Sequence, residues 1–303
     1  MDSVRLAPGI FHLQSGSNMG LVVRDGKALL IDAGLDDDAG RRALRAVEAQ
    51  DATLEAIVVT HAHADHFGGA QFLQNRLGVP LFAPRLEAAM MENPIIEPLY
   101  LFGGAAPIKE LRSKFTLAEP CTVNETVEAG PLDIGAFHVD VVPLPGHALN
   151  QVGVAINDSA GRDVLFCADA IFPRGTIEKH KVLFCVDLDQ TLDAIGELRA
   201  HPADWFAPGH GPAYAAGEDI ERICDANRVR LEEIRETVRT ALEEPQETST
   251  LVQRVAEHFR LRIRTPTAYT LTRTTVLAAL SSLEGTGEVA AVTDENRLLW
   301  CRD

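Results

Sequence analysis

Three histidines and one aspartate stand within six residues, directly after a short run of apolar and β-branched residues. The run covers residues 56–60 and is typical of a strand buried on both faces, because no charged residue interrupts it. The cluster from His61 to His66 follows immediately, and Gly68 and Gly69 then allow a tight turn into a helix. Imidazole and carboxylate groups in this mixture suit zinc. The sequence therefore predicts a metal site where a buried strand ends.

The rest of the chain alternates between strand-like and helix-like segments. A hairpin is indicated by two β-rich runs joined by Asp25-Gly26. The other predicted strands cover residues 80–83, 137–142, 152–156, 164–167 and 205–207. The other predicted helices cover residues 36–50, 67–77 and 188–199. This alternation predicts an α/β fold.

Composition narrows the class of protein. The chain has 303 residues, of which 46% are hydrophobic and 24% charged, as in an ordinary globular protein. No stretch approaches the ~18 apolar residues of a membrane span, and no signal peptide is evident, so we expect a cytoplasmic protein. Five scattered cysteines without a CxxC pair argue against disulfides and a cysteine zinc site. The net charge of −16 disfavours nucleic acid as a partner without excluding a local basic channel, and we expect a small-molecule substrate.

Three regions of different character divide the chain. Residues 1–217 are predicted to form the catalytic domain, interrupted at about residues 84–126 by a proline-rich insertion that suits a lid. Residues 218–246 have the apolar spacing of a long amphipathic helix. Residues 247–303 predict two helices followed by two short strands, a small winged-helix-like module.

Three further ligand candidates, His147, Asp169 and His210, each follow a predicted strand. A single residue of this kind is more often part of a turn or a core. Together they add three groups at strand ends, where α/β folds usually build their sites.

These residues, in this order, resemble the metallo-β-lactamase superfamily, and most closely its glyoxalase II-type hydrolases. The resemblance runs from Leu6 to about Pro212 and includes Asp32 in the stretch Leu-Ile-Asp-Ala-Gly. It implies a four-layer αββα sandwich with two metal ions between the sheet edges. By the same resemblance, one metal would be held by His61, His63 and His147, and the other by Asp65, His66 and His210. Asp169 would bridge the two metals, and Asp32 would support the site.

The resemblance implies hydrolysis. Two close dications lower the pKa of a shared water from ~15.7 towards ~7 and so supply a bridging hydroxide at neutral pH, while Asp65 could carry a proton to the leaving group. We expect zinc, with iron or manganese as alternatives, and an ester, thioester or lactone substrate. Dizinc β-lactamases place a cysteine where Asp169 stands, and flavodiiron proteins have a glutamate in place of His63. Both activities are therefore disfavoured.

Two other activities remain open. Iron-dependent persulfide dioxygenases share much of the histidine pattern, and some lactamase-like proteins with a winged-helix tail are endoribonucleases. From Glu247 to Asp303 the tail has seven arginines and seven acidic residues, so its formal charge is zero. A groove-binding wing is usually basic. The charge therefore favours a packing role for the tail, or a homodimer contact, over RNA binding.

Substrate contacts are expected from two irregular segments. In the insertion, Tyr100 and Phe102 could line an apolar pocket wall. In the loop at residues 172–181, Arg174, Lys179 or Lys181 could meet a substrate anion. For each residue, a surface or core role is an equally open interpretation.

Overall fold

The computed structural model describes residues 1–158 and 160–302, and the amino-terminal half forms a seven-stranded sheet. In spatial order its strands are β1 (Asp2–Ala7), β2 (Ile10–Gln14), β3 (Met19–Arg24), β4 (Lys27–Ile31), β5 (Thr53–Val58), β6 (Leu81–Pro84) and β7 (Glu125–Val127). The pairs from β1 to β4 are antiparallel, and those from β4 to β7 are parallel. Helices connect the parallel strands, as parallel pairing requires.

The second sheet has six strands. They are β8 (Gly130–Ile134), β9 (Phe137–Pro143), β10 (Val152–Asn157), β11 (Asp163–Ala168), β12 (Trp205–Pro208) and β13 (Tyr214–Ala215), in the spatial order β13-β12-β11-β10-β9-β8. Apolar side chains from both sheets, such as Leu29 and Val154, form one buried cluster between them. Gly20 permits this close packing, because a Cβ there would lie 2.6 Å from the Phe166 ring.

Helices cover the outer faces of both sheets. Those before the second sheet are α1 (Asp37–Glu48), α2 (Ala64–Phe67), α3 (Ala70–Leu77), α4 (Arg85–Glu92) and α5 (Ile96–Leu101), with a 3₁₀ turn at Lys109–Leu111. Later helices are α6 (Arg174–His180), α7 (Leu188–Ala200) and α8 (Glu218–Thr240). Helices α1, α3 and α4 bury apolar residues on the first sheet, and α7 and α8 on the second. The predicted α/β class and four-layer order are confirmed.

The carboxy-terminal region contains α9 (Thr248–His258), α10 (Pro266–Gly285) and the antiparallel strands β14 (Val289–Asp294) and β15 (Arg297–Arg302). Apolar residues of α9 and α10 belong to the same buried cluster as α7, α8 and the outer face of the second sheet. The tail therefore packs against the body of the protein. Asp303, the last of the acidic residues counted in the tail, lies outside the described residues.

Several predicted boundaries change. Residues 172–181 were expected to be a loop but contain α6, which starts after Pro173, a residue whose fixed φ suits a helix start. The predicted helix at 67–77 breaks at Gly68, where a Cβ would meet the Leu35 carbonyl oxygen at 2.0 Å. The insertion ends within β7, and α8 ends at Thr240, ahead of Pro245. Within the two described ranges, no helix has the length and apolar character that crossing a membrane requires.

Candidate metal centre

The predicted ligands converge at one edge of the sandwich, on loops that follow strands. The 61–66 cluster follows β5, His147 follows β9, Asp169 follows β11 and His210 follows β12. A register shift between Phe166 and Ala168 and a φ of 48° at Ala168 turn the chain immediately before Asp169. Strained backbone of this kind is common where a side chain must be aimed into a site.

A first ligand set consists of His61, His63 and His147, all buried. One ring nitrogen from each lies within 4.8 Å of the other two, and His147 Nε2 is 2.9 Å from His63 Nδ1. Three converging imidazoles form a donor set that zinc accepts.

A second ligand set consists of Asp65, His66 and His210, whose donor atoms also lie within 4.8 Å of one another. The Asp65 Oδ2 atom is 3.9 Å from His66 Nε2 and 3.5 Å from His210 Nε2. The side chains of Asp65 and His210 are 28% and 22% exposed, so this set opens towards solvent.

Asp169 lies between the two sets. Its Oδ2 atom is 3.5 Å from His147 Nε2 and 3.3 Å from His210 Nε2, and its Oδ1 atom is 3.5 Å from His66 Nε2. Gly209 allows this placement, because a Cβ there would lie 2.2 Å from Asp169 Oδ1. The position matches that expected of a bridging carboxylate.

Hydrogen bonds donated by Nδ1 fix the orientation of several rings. Nδ1 of His66 contacts the Asp32 carboxylate at 2.8 Å, and Nδ1 of His147 and of His210 contact the carbonyl oxygens of Phe184 at 3.1 Å and Gly16 at 2.8 Å. An imidazole that donates through Nδ1 presents the lone pair of Nε2 to a metal. The hydrogen bonding therefore turns Nε2 towards the shared centre.

Three buried polar atoms at this centre have no hydrogen-bond partner among the described residues: His61 Nε2, His66 Nε2 and Asp169 Oδ1. Leaving a buried polar atom unpaired costs about 1–3 kcal/mol. All three atoms belong to the proposed ligand groups, and coordination of a divalent cation would satisfy them. The residues present therefore fit metal ions.

The pKa shifts of the histidines distinguish the two ligand sets. Burial lowers the pKa of His61 and His147, which keeps these rings neutral, as ligation requires. Burial opposes ionisation of Asp169, but the adjacent His210 and His66 outweigh it and hold the carboxyl pKa well below its usual range. Against the opposing effect of burial, Asp169 and Asp65 hold the pKa of His66 well above its usual range, and Asp169 raises the pKa of His210 to about 9. The first set is therefore neutral, whereas the second pairs protonated imidazoles with anionic carboxylates and would release protons when it binds an ion.

Asp32, the predicted supporting residue, lies beside the second ligand set. Besides its contact with His66, its Oδ1 accepts hydrogen bonds from the Thr60 backbone N–H at 2.8 Å and the Thr60 hydroxyl at 3.0 Å. Its backbone has a φ of 62°. One carboxylate thus links the end of β5 to a ring of the second ligand set.

Sequence reasoning missed Glu87, on α4. This side chain is fully buried, and its two oxygens accept hydrogen bonds from the backbone N–H groups of Ala62 at 2.8 Å and Asn150 at 2.7 Å. Ala62 lies between two ligands, and Asn150 lies three residues after His147. The local signal is weak: an acidic residue among the apolar residues of a helix.

Two phenylalanines line the site: Phe172, which begins the segment expected to select the substrate, and Phe184, which sequence reasoning missed. The Phe184 ring centre is 5.6 Å from that of His63 and 5.5 Å from that of His147. The Phe172 ring centre is 5.5 Å from that of His147, and the ring stacks on His210 at 6.2 Å. An apolar wall therefore borders both ligand sets.

The predicted substrate residues occupy varied surroundings. Tyr100 packs against the amino-terminal core cluster, and Phe102 is half-buried at the end of α5. Arg174 and Lys179 are exposed on α6, whereas Lys181 donates through Nζ to the carbonyl oxygen of Arg260, 2.9 Å away. Their roles in substrate binding stay predictions.

Residues 13–210 match the family model described as the metallo-beta-lactamase superfamily. The chain belongs to this superfamily, whose members bind divalent metals. It is 29% identical to a hydroxyacylglutathione hydrolase of Albidiferax ferrireducens over 148 residues, which are 49% of this chain and 45% of that protein. It is also 29% identical to an uncharacterized protein of Mycobacterium leprae over 142 residues, 45% of this chain and 62% of that protein. The chain spans roughly half the length of these relatives.

Solved structures share the fold over almost the whole chain. A metallo-beta-lactamase family protein from Thermus thermophilus has a TM-score of 0.75 at 19% identity and covers 99% of this chain and 100% of its own. A beta-lactamase domain protein from Burkholderia ambifaria has a TM-score of 0.73 at 22% identity and covers 100% of this chain and 94% of its own. The shared fold thus includes the carboxy-terminal helices.

Proposed function

We propose that this protein is a hydrolase that holds two divalent metal ions, zinc in the first instance, and cleaves an ester, thioester or lactone. The observation that carries the proposal is the position of Asp169, whose oxygens lie within 3.5 Å of nitrogens from both ligand sets. One carboxylate shared by two sets is the arrangement expected for two adjacent ions.

Divalent ions bound there would supply Lewis acidity, polarising an acyl oxygen and lowering the pKa of water. The chain's own residues orient the reaction. Asp65 is the proposed proton carrier, because it is more exposed than Asp169 and its Oδ2 accepts a hydrogen bond from the Ser17 hydroxyl at 2.7 Å. That bond holds the carboxylate beside His210 while leaving it accessible to a leaving group.

Substrate selection is proposed to rest on the apolar wall. Phe172 and Phe184 present aromatic surface beside the ligand rings, which suits the apolar part of an acyl group and excludes water from it. Exposed Arg174 and Lys179, on α6, are the proposed partners of a substrate anion. The names of the hydroxyacylglutathione hydrolase relatives support a thioester as the first substrate to test.

The test begins with the metal content of protein expressed without metal supplementation. We expect about two zinc ions per chain and cleavage of an acyl-glutathione thioester, an aryl ester or a lactone. Asp169→Ala should lose at least one ion and lower kcat/KM by about 10³-fold, corresponding to about 4 kcal/mol of transition-state stabilisation.

Two results would overturn the proposal. About one iron per chain, with oxygen consumption on a persulfide, would replace it with a dioxygenase. Metal-dependent cleavage of an RNA oligonucleotide, with all three acyl substrates left intact, would replace it with a nuclease.

A further inference from the structure

The carboxy-terminal region reaches towards the metal centre through one buried threonine. Thr275 lies on α10 and is fully buried. Its hydroxyl donates to the Leu183 carbonyl oxygen at 3.1 Å, and its oxygen lies 3.4 Å from the Cys185 backbone N–H, which donates to it. One side chain of the tail thus holds the backbone on both sides of Phe184.

Phe184 in turn contacts the first ligand set. Its carbonyl oxygen accepts a hydrogen bond from His147 Nδ1 at 3.1 Å, and its ring packs edge-on against the rings of His63 and His147. The direction in which His147 presents Nε2 therefore depends on where the Phe184 carbonyl points.

The segment around Phe184 is also tied to the loop that carries His147. The backbone N–H groups of Val186 and Asp187 donate to the Gly146 carbonyl oxygen at 2.8 Å and 3.1 Å. The segment thus lies between the His147 loop on one side and Thr275 on the other. A shift at Thr275 would be transmitted to the ligand through three hydrogen-bonded residues.

We propose that Thr275 is a positioning residue for the metal centre, acting through residues 183–185 to fix the orientation of His147. The carboxy-terminal region then helps to position a ligand of the first set and does not act as a separate module. The inference rests on the proposed metal-binding role of His147.

The same helix offers a matched control. Thr272 is also buried, but its hydroxyl donates to the Ala268 carbonyl oxygen of its own helix at 2.8 Å. Thr275 has a similar local option in Leu271, at 3.4 Å, yet its shorter bond crosses to Leu183. Replacing each threonine by valine removes a buried hydroxyl of the same size, and only one change breaks the link to Phe184.

The experiment is a cobalt(II) titration of metal-free protein, with a competing chelator and the visible spectrum as readouts. Thr275→Val should weaken the tighter of the two bound ions about tenfold and alter its spectrum, because partners that orient a ligand affect metal affinity on this scale. Thr275→Ser should restore both values, and Thr272→Val should match the wild type. If Thr275→Val does not fold, Thr275→Ser and Thr275→Ala give the same comparison, since they differ only in the hydroxyl.

Three outcomes would overturn the inference. If the folded Thr275→Val protein had the cobalt affinity and spectrum of the wild type, the hydrogen bonds of Thr275 would not affect the orientation of His147. Equal weakening by Thr272→Val would indicate a general effect of α10. A wild-type protein that binds no cobalt would instead overturn the proposed function, and the inference with it.

Discussion

The two ligand sets differ in chemistry and in access to solvent. The first, His61, His63 and His147, is made of buried imidazoles. The second contains a carboxylate and opens outwards at Asp65 and His210. In a site of this kind, an enclosed all-imidazole set suits retention of an ion, and an open mixed set suits exchange and substrate contact. If the centre binds two ions as proposed, we therefore expect the first set to retain its ion longer and the second set to contact the substrate.

The supports of the two sets also come from different parts of the chain. Glu87 of the insertion and Phe184 hold the first set. The second is held by Asp32 and by the turn before β3, where Gly16 accepts from His210 and Ser17 donates to Asp65. Asp169 approaches both sets, and the Thr60 hydroxyl joins their supports, because it lies 3.0 Å from Asp32 Oδ1 and 3.1 Å from His61 Nδ1. The other supports named here each contact one set, so changes at those residues should perturb the two halves separately.

The largest expected difference is in the rate of metal release. Excess chromophoric chelator should remove zinc in two phases, with the open set emptied at least about tenfold faster, because solvent access controls exchange. His210→Ala should abolish the fast phase and leave the slow one, and His147→Ala should do the reverse. Stopped-flow absorbance measures both phases. A single phase in the wild type would show that the halves are not distinct.

A smaller effect is expected from Glu87→Gln, which tests the support of the first set. The carboxylate accepts two backbone N–H bonds, whereas glutamine offers one acceptor and turns its NH₂ group towards the other N–H. The slow release phase should accelerate about tenfold, with the fast phase unchanged. Glu92→Gln, at an exposed position on the same helix, is the control. An unchanged slow phase would remove Glu87 from the support.

The contrast between the two sets also explains what the sequence could reveal. Four ligands follow one strand within six residues, and His147, Asp169 and His210 each stand after a predictable strand. Local pattern and the known tendency of α/β sites to form at strand ends were therefore enough to predict the seven candidates that the structure brings together. Asp32 was found through the family resemblance.

The supports escaped prediction because they depend on contacts between distant parts of the chain. Glu87 meets Asn150 across 63 residues, and Thr275 meets Leu183 across 92. Neither residue type is unusual in a helix, so no local pattern marks it. Phe184 lies in an apolar run that reads as ordinary core, and α6 is short enough for its polar residues to resemble a loop. The candidate ligands could be predicted from sequence because each stands in a recognisable local pattern. The supporting residues could not, because they are scattered along the chain.

The last expected effect concerns His12, on β2, and is an effect on the stability of the metal-free protein, not on metal release. Its ring is buried, and Nε2 donates to the Pro208 carbonyl oxygen at 3.1 Å, two residues before His210. Burial lowers the pKa of His12 from 6.5 to about 4, with the hydrogen bond to Pro208 opposing the shift. The unfolded chain therefore binds a proton more tightly, so the stability that neutral His12 contributes is complete above pH 6.5 and is lost as pH falls towards 4.

Glutamine at this position can keep the bond to Pro208 but does not titrate. Between pH 7 and pH 5, metal-free wild-type protein should therefore lose about 2 kcal/mol more unfolding free energy than His12→Gln. Urea unfolding of both proteins at the two pH values measures the difference. Using metal-free protein makes the ligand histidines contribute equally to both curves. Parallel losses would mean that His12 binds a proton equally well in the folded and unfolded protein, so that its burial beside Pro208 does not lower its pKa.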